Sequence, residues 1–472
     1  MEDCREVVIG YTTHRFPADI KYFLVTFVDL LGVLRSKLVP TSAIKQMLEK
    51  GAGFAGYAVH FDMTTADADL MAFPDMSTLI QLPWKKEVAW VASDLYINGK
   101  LFKQAPRQVL KDQVAKVAKA PKACDGGYYM KTGVECEFFL LSRNSSSGSK
   151  PEAADAFEIA PKPCYRQGAL MRSFDVISKL LEYMESLGWE PYQADHEDGQ
   201  SQFEINWKYD DCLRTADKHV FFKFMVKSVA EQHGFQATFM PKPFRHQTGN
   251  GCHTHISVWD HNNSTHDETC STNLFHDPEK ELGMSKLSYH FLGGLLGNAK
   301  VLCGIYNPTV NSFKRIDGQT TLSGSSWAPN IISYAGNNRT HLVRIPDEGR
   351  FELRVPDGAV NPYLLQAAIL ASGLDGIENQ LDPGPRRDWD GFEPHPDKES
   401  LDRLPTNFLD ALRELSSSNF AKQDLSVLNR SEVFAQSFGE EFVKSYVKVQ
   451  MQQWKSYAAH ISQWELENTL DC

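Results

Sequence analysis

Residues 132–141, TGVECEFFLL, decide the fold, because they set two acidic side chains inside an otherwise apolar stretch. Successive side chains of a β-strand alternate between its two faces, so Glu135 and Glu137 share one face and Cys136 lies on the other. A carboxylate pair is costly to bury in such surroundings without a partner. We therefore predict a buried strand whose acids bind a ligand, although an isolated pair of this kind is usually a solvated edge.

Three further segments place acids, imidazoles or guanidinium groups at similar spacing. They are HEDGQSQFEINW at 196–207, with Glu197 and Glu204 around a turn, GNGCHTHISVW at 249–259, with His253 and His255, and RFELRVPD at 350–357, with Arg350, Glu352 and Arg354. Taken singly, a pair of histidines is more often a packing or hydrogen-bonding feature. Taken together, the segments predict a site that is rich in acids.

Convergence of these five glutamates requires cations. Two carboxylates about 4 Å apart repel each other by roughly 4 kcal/mol at an effective dielectric constant near 20. Oxygen ligands with one or two imidazoles favour Mg²⁺ or Mn²⁺ over zinc, which prefers more Cys and His. The sequence therefore predicts a site for divalent cations where these segments meet.

Arginines crowd residues 311–354, interleaved with these acids. The window contains Arg315 in NSFKR, Arg339 in NNR, Arg344, Arg350 and Arg354. Arginine binds carboxylate and phosphate oxygens bidentately and keeps its charge when buried. Such a set suits phosphoryl transfer, in which catalysis is mostly positioning and charge neutralisation. A surface ion-pair network is the alternative, above all for Arg344 and Arg350.

The wider pattern predicts an α+β fold with two domains. We place a small β-rich domain at residues 15–105 and a larger domain at residues 106–472. The predicted elements are a hairpin at 22–40, strands around the Asn98-Gly99 turn at 79–102, and helices at 106–119, 174–188, 214–233, 400–416 and about 439–468.

Composition and charge exclude several classes of protein. The 472 residues carry 49 Lys and Arg against 60 Asp and Glu, a net charge of −11 without a dense basic patch, which argues against nucleic-acid binding. The 9 cysteines are odd in number and form no CxxC motif, so we expect reduced thiols in the cytoplasm. The N-terminus is acidic and unlike a secretion signal, and no apolar stretch is long enough to span a membrane.

Several motifs, in this order, resemble those of the glutamine synthetase superfamily. They are GVECEF, HEDGQSQFEINW, KPF with GNGCHTHIS, NPTVNSFKR, GNNRTHLVRIP and RFELRVPDGAVNPYLLQAAILASGLDGI. The resemblance runs from about residue 20 to the end, and it includes VDLLGVLRSKLVP at 28–40. It implies a small β-grasp-like N-terminal domain and a large catalytic domain of the glutamine synthetase and guanido kinase type, with a curved antiparallel sheet.

This resemblance implies an ATP-dependent ligase that uses two or more Mg²⁺ or Mn²⁺ ions. Glutamate would take the γ-phosphate of ATP, and ammonia or an amine would displace phosphate from the resulting γ-glutamyl phosphate. The implied ligands are Glu137, Glu197 and Glu204 for the metal facing glutamate, and Glu135, His253 and Glu352 for the metal facing ATP. The family assembles as double rings, which implies a homo-oligomer.

The same resemblance assigns the remaining site residues. Gly249, Arg315 and Arg354 match residues that contact glutamate, and Arg339 matches the arginine on the transferring phosphate. The implied catalytic residues are Arg339 and Arg315. The implied nucleotide contacts are His255, Ser257, Arg339, Arg344 and Arg350.

Departures from the family pattern bear on the amine. Ser326-Trp327-Ala328-Pro329 stands where ammonia-using members carry a Glu-Ala-Pro loop, and Gly53-Phe54-Ala55-Gly56-Tyr57 stands where they carry Asp-Gly-Ser-Ser. Asp69 is retained, whereas Asp347 replaces a nucleotide-contacting lysine. An alkylammonium ion needs an apolar wall, which Trp327 or Phe54 would supply by cation–π contact. The pattern therefore resembles the branch of γ-glutamylmethylamide synthetases and related glutamate–amine ligases.

Three alternatives stay open from the sequence. Trp327 is as compatible with a packing role in a shorter, fixed loop as with a substrate wall. A non-catalytic homologue would keep the fold and lose the chemistry, but the metal and phosphate positions are intact here. A guanidino kinase-like phosphotransferase would lack the N-terminal β domain.

Overall fold

The computed structural model describes residues 4–10, 12–119, 127–143, 151–260, 271–316, 321–416 and 430–472. Within these ranges the strands are β1 (Cys4–Ile9), β2 (Thr12–Pro17), β3 (Tyr22–Val28), β4 (Leu34–Pro40), β5 (Ala52–Phe54), β6 (Leu70–Pro74), β7 (Ile80–Gln81), β8 (Val88–Ile97), β9 (Lys100–Leu101), β10 (Tyr128–Cys136), β11 (Phe138–Ser142), β12 (Pro191–His196), β13 (Gln202–Trp207), β14 (Asp210–Asp211), β15 (Phe235–Thr238), β16 (Cys252–Asp260), β17 (Tyr334–Ala335), β18 (Val343–Arg344) and β19 (Phe351–Leu353).

The helices alternate with these strands and dominate the C-terminal part. They are α1 (Ile44–Lys50), α2 (Pro106–Val117), α3 (Gln167–Arg172), α4 (Phe174–Ser186), α5 (Cys212–Gln232), α6 (Lys286–Gly297), α7 (Ala299–Tyr306), α8 (Ser312–Ile316), α9 (Pro362–Glu378), α10 (Phe408–Ser416), α11 (Arg430–Phe438), α12 (Glu440–Ala458) and α13 (Gln463–Thr469). In the part of the chain so described, no helix is both long and apolar enough to cross a membrane.

The N-terminal sheet has the strand order β4-β3-β8-β6-β5. The predicted hairpin is confirmed, since β3 and β4 pair antiparallel from Tyr22 opposite Pro40, and β3 runs parallel to β8. Asn98 and Gly99 have φ angles of 50° and 74° between β8 and β9. Two positive φ angles are what a tight two-residue hairpin turn requires, so this predicted turn is confirmed as well.

The first strand precedes the predicted start of the N-terminal domain at residue 15, and the second strand crosses it. Strands β1 and β2 form a hairpin of their own, with Cys4 opposite Pro17. Their sequences, CREVVI and TTHRFP, show no apolar alternation of period two, which is the signal by which half-buried strands are detected in a sequence. The division of the chain into residues 15–105 and 106–472 stays a prediction.

Two antiparallel arrays form the centre of the larger part of the chain. One sheet has the order β14-β10-β16-β19-β18-β17, antiparallel except for the β17–β18 pair, and the other has the order β12-β13-β11-β15. The prediction of one strand over residues 132–141 is wrong, because β10 ends at Cys136 and β11 begins at Phe138 in the second sheet. Apolar alternation continues through Glu137, so the sequence pattern does not reveal that the chain changes sheets there.

Helix α5 packs against both sheets, and α9 packs against α5. Helix α5 begins where Asp211 accepts the Leu213 and Arg214 N–H groups, and α9 begins at Pro362, after Asn361 accepts the Tyr363 N–H. The predicted helices at 106–119, 174–188 and 214–233 are confirmed by α2, α4 and α5. The predicted helix at 400–416 begins only at Phe408, and the one at about 439–468 is divided between α12 and α13.

A buried arginine connects the N-terminal sheet to the rest of the chain. Arg107, near the start of α2, pairs with Asp75 at 2.9 Å, Asp94 at 2.7 Å and Asp217 at 3.1 Å. Asp94 lies on β8, whereas Asp217 lies on α5 and also accepts the Tyr363 hydroxyl at 2.6 Å. One guanidinium group therefore neutralises acids from both parts of the chain.

Candidate active site

The register of three neighbouring strands brings the predicted acids and imidazoles together. Glu135 on β10 lies opposite His253 on β16, and His255 on β16 lies opposite Glu352 on β19. His253 Nδ1 is 3.6 Å from Glu135 Oε2 and 3.8 Å from Glu352 Oε1. It is also 3.8 Å from Glu137 Oε1, so the predicted shared face of Glu135 and Glu137 is confirmed.

The second sheet supplies the other two glutamates. Glu197 follows β12, where its N–H donates to the Gln202 carbonyl at 2.8 Å, so it lies at the predicted turn. Glu204 lies on β13 and accepts the Asn206 side-chain amide at 2.9 Å. Ligand atoms of Glu135, Glu204 and His253 all lie within 4.8 Å of one another. The structure therefore brings acids from both sheets to one place, where β10 passes into β11.

Electrostatics differ between the two sides of this acidic cluster. Burial, followed by the charge of Glu137, raises the pKa of Glu197 to about 8. Burial and the nearby Glu135 raise the pKa of Glu204 well above its ordinary value. Burial also acts on Glu352, but Arg354 and the histidines outweigh it and lower the pKa of this carboxyl to about 2. Among the described residues, Glu197 and Glu204 thus have no basic ion-pair partner.

The chemistry of this donor set fits hard divalent cations. The ligand atoms are carboxylate oxygens with one imidazole, which is the set that Mg²⁺ and Mn²⁺ accept. His253 Nε2 is buried and has no hydrogen-bond partner among the residues that the structure describes. A buried nitrogen without a partner is costly unless something binds it.

Two glycines allow a close approach to the buried Arg315. Its guanidinium donates to the Val355 carbonyl at 3.1 Å. Its aliphatic stem lies against Gly249, where an added Cβ would be 3.1 Å from Arg315 Cγ and 2.3 Å from the Pro241 carbonyl oxygen. A Cβ at Gly251 would lie 2.7 Å from His253 Nε2 and 3.0 Å from Arg315 Nη2. Side chains at either position would therefore collide with the site.

Three of the other predicted arginines form pairs with neighbouring side chains, and Arg339 forms none with the residues that the structure describes. Arg344 donates to Glu352 Oε2 at 2.7 Å, and Arg354 donates to the same carboxylate. Arg350 lies 3.0 Å from His255 Nδ1 and also pairs with Asp347. The ion-pair alternative thus holds for Arg344 and Arg350. The Arg344–Glu352 pair is buried in the site, whereas the Arg350–Asp347 pair is exposed to solvent. Arg339 is exposed in the turn after β17.

A cavity of about 560 Å³ opens beside Glu135. His255, Ser257 and Arg350 line it, whereas the predicted nucleotide contacts Arg339 and Arg344 do not. Sequence reasoning missed its aromatic walls and Lys131, whose ammonium lies 4.6 Å from the centre of the Trp259 ring. The aromatic lining residues are Tyr192, Trp207, Tyr209 and Trp259. The available signal was the spacing of two between Trp207, the last residue of β13, and Tyr209.

Sequence reasoning also missed Asp198, which fastens the loop that carries Trp327. Asp198 Oδ2 accepts the Thr248 hydroxyl at 2.6 Å and the Trp327 indole N–H at 2.9 Å, and it also accepts the Ser323 hydroxyl. Trp327 remains 37% exposed. Phe54, the other aromatic candidate, is buried with the Lys37 ammonium 4.9 Å from its ring centre. Trp327 therefore has a structural hydrogen bond and still leaves ring surface open.

Comparison with known proteins agrees with this architecture. The model of the glutamine synthetase catalytic domain family matches residues 103–469. A glutamine synthetase of Rhizobium meliloti (strain 1021) is 51% identical over 452 residues, covering 96% of this chain and 97% of that protein. A glutamate–methylamine ligase of Methyloversatilis universalis is 37% identical over 459 residues, covering 96% of each chain. The solved structure "GmaS/ADP complex-Conformation 1" superposes with a TM-score of 0.85 at 50% identity, covering 96% of this chain and 97% of that one.

The fold and these relatives define a class of ATP-dependent ligases that form C–N bonds. The chain belongs to the glutamine synthetase family. The expected superfamily, the α+β fold class with its N-terminal sheet and large catalytic domain, and the expected enzyme class are thereby confirmed.

Proposed function

We propose that this enzyme joins glutamate to ammonia or to a small primary alkylamine, with ATP as co-substrate and γ-glutamyl phosphate as intermediate. One observation supports the proposal: ligand atoms of Glu135, Glu204 and His253 lie within 4.8 Å of one another, beside a cavity. The neighbouring Glu352 pairs with Arg344 and Arg354. A non-catalytic homologue is not favoured, because the named relatives are ligases.

The acidic cluster would hold the divalent cations that the reaction requires. Glu137, Glu197 and Glu204 would form one set of ligands, and Glu135, His253 and Glu352 the other. When bound, Mg²⁺ or Mn²⁺ neutralises charge on phosphoryl oxygens and orients them.

Buried arginines would hold the glutamate carboxylates. Arg315 and Arg354 are both buried, and Arg354 Nε has no partner among the described residues. An N–H group in that position is available to a substrate carboxylate, since a charge-assisted hydrogen bond would satisfy it. Gly249 keeps the approach to Arg315 open.

The cavity beside Glu135 would receive the nucleotide. His255, Ser257 and Arg350 line it, and its aromatic walls offer flat surfaces to a base. Arg344 would act near the phosphates through its pair with Glu352. Arg339 would stabilise charge on the transferred phosphoryl group, since it is exposed and is not tied to the cluster.

The identity of the amine rests on Trp327. An indole face attracts an alkylammonium ion and offers it an apolar contact, and the Asp198 hydrogen bond orients that face. The relatives carry the names of both an ammonia-using and a methylamine-using ligase, so we favour a small alkylamine on the basis of the loop alone.

A direct assay tests both levels of the proposal. The full chain is incubated with glutamate, ATP and Mg²⁺ or Mn²⁺, and phosphate release is measured with ammonium, methylamine, ethylamine or no amine. We expect release that depends on an amine and is highest with an alkylamine. The same background rate in every mixture would refute the ligase, whereas a large preference for ammonium would refute only the alkylamine.

Assembly and location are proposed on separate grounds. We infer a homo-oligomer, because the C-terminal segment exposes Ile461 at 68%, Trp464 at 65% and Leu470 at 75%, as expected for a surface covered by another copy. Size-exclusion chromatography with light scattering tests this, and a monomer at micromolar concentration would contradict it. A reducing compartment such as the cytoplasm agrees with the described cysteines, all of which are free thiols.

A further inference from the structure

A second cluster of ligand-type side chains lies behind the candidate active site, on the opposite face of the same strands. Cys136 on β10 and Cys252 on β16 are directly opposite each other, and His219 points at them from α5. All three side chains have an exposure of 0%. The proposed reaction uses none of them.

Strand register explains why the two thiols meet. The Glu137 N–H donates to the Gly251 carbonyl at 3.1 Å, and the Cys252 N–H donates to Pro356 instead of Cys136. Cys136 and Cys252 are therefore a non-hydrogen-bonded pair of an antiparallel ladder, the type in which opposite side chains are closest.

The three donor atoms have the spacing of a metal site. His219 Nε2 lies 3.2 Å from Cys136 Sγ and 4.0 Å from Cys252 Sγ, and all three atoms lie within 4.8 Å of one another. Zinc bonds of about 2.3 Å to sulfur and about 2.05 Å to nitrogen, at a tetrahedral angle, separate those atoms by about 3.6 Å. The two observed separations lie on either side of that value.

The chemistry of the donors selects the kind of cation. Sulfur with imidazole favours zinc-like cations, whereas the carboxylates on the other face favour Mg²⁺ or Mn²⁺. Two thiolates and a neutral imidazole balance a divalent charge, and a fully buried site requires such a balance. We propose that Cys136, His219 and Cys252 form a structural site for a thiophilic divalent cation such as Zn²⁺.

Such a cation would brace the strands that carry the catalytic ligands. It would tie β10 and β16 to α5, and Glu135, Glu137 and His253 lie next to its ligands in the sequence. Because an unfolded chain lacks the assembled site, binding adds to the stability of the folded state. This role is structural and supplies no step of the ligase reaction.

Two measurements on the wild-type full chain test the proposal. Protein expressed with added zinc and purified under reducing conditions with a chelator is expected to retain about one zinc ion per chain, measured by elemental mass spectrometry. Protein expressed with Co²⁺ is expected to show thiolate-to-cobalt charge-transfer absorption. The carboxylate and imidazole cluster cannot produce that band, because it contains no sulfur.

Matched variants assign the ion to this cluster. Cys136→Ser with Cys252→Ser, and His219→Gln separately, should remove the retained zinc, whereas Cys303→Ser should keep it, because Cys303 is an equally buried cysteine on α7. A zinc-free wild type without the cobalt band would overturn the proposal. So would a Cys136–Cys252 disulfide found by peptide mass spectrometry in the same reduced sample, or equal zinc loss in Cys303→Ser. The wild-type measurements decide the question even if a variant fails to fold.

Discussion

Glu204 and Glu352 are both buried glutamates of one site, yet their carboxyl groups respond to it in opposite ways. The pKa of Glu352 falls to about 2, because Arg354 and the histidines outweigh the effect of burial. The pKa of Glu204 rises well above its ordinary value, because burial is reinforced by Glu135 and other acids. Among the described residues, neither Glu204 nor Glu197 has a basic partner. Arginine therefore compensates the negative charge on one side of the site, whereas on the other side a proton or a metal ion must do so.

Removing the acid shared by both sides should have the largest effect. Glu135→Ala is expected to reduce amine-dependent phosphate release by about 10³-fold, since metal ions supply several kcal/mol of charge stabilisation and each 1.36 kcal/mol changes a rate tenfold. The stabilisation of the fold by Mn²⁺ should decrease in parallel. Glu185→Ala, at an exposed glutamate of α4, is the control. Activity near that of the wild type in Glu135→Ala would remove this residue from the site.

On the arginine-compensated side, removing Arg354 should lower the free energy of unfolding. Arg354→Met leaves Glu352 buried with less compensation, and loss of one partner of such a pair costs about 3–5 kcal/mol. Urea unfolding measures this, and the double variant Glu352→Gln with Arg354→Met should recover part of the loss. A single variant as stable as the wild type would show that Arg354 does not hold the Glu352 charge.

The side without basic partners should make the free energy of unfolding depend on pH. The pKa of Glu197 rises from 4.5 to about 8, so between these values the folded protein holds a proton that the unfolded chain has released. Without divalent ions, the free energy of unfolding should therefore fall as pH rises through this range. Thermal unfolding with and without Mn²⁺ checks this, and the gain from Mn²⁺ should grow with pH. Glu197→Gln should weaken the trend, and an unchanged trend in that variant would assign it to other groups.

The smallest expected effect concerns the loop held by Asp198. Trp327→Phe keeps an aromatic ring and loses the indole N–H, a hydrogen bond worth about 1 kcal/mol, so kcat/KM for methylamine should fall by about fivefold. Trp327→Ala should in addition reduce the preference for methylamine over ammonium. Equal loss for both amines in Trp327→Ala would favour the packing role, and competition assays distinguish the two outcomes.

The sequence predicted which acids form this site far better than it predicted their ion pairs and hydrogen bonds. Period-two spacing placed Glu135 and Glu137, and His253 and His255, on shared faces, because side-chain alternation is local. Whether Arg344 forms an ion pair depends on Glu352 of the neighbouring strand β19, so the sequence left that open. Asp198 was missed for the same reason, since its partners lie about 50 and 129 residues away.

The sequence predicted which segments are strands, but not which sheet each strand joins. Loose alternation, with many β-branched and aromatic residues, identified β3, β4 and β8, whereas the apolar residues around Glu137 concealed the change of sheet there. The ladder around β10 and β11 is set by long-range pairing with β16 and β13, which no local pattern contains. That change of sheet is what lets acids from two sheets meet.

Arg107 has a mechanical consequence for the whole chain. If the N-terminal sheet and helix α5 separated, the Arg107 guanidinium would lose its ion pairs either with Asp75 and Asp94 or with Asp217. Loss of one partner of a buried ion pair is strongly destabilising. The two parts should therefore unfold cooperatively, so differential scanning calorimetry should record one heat-absorption peak and not two.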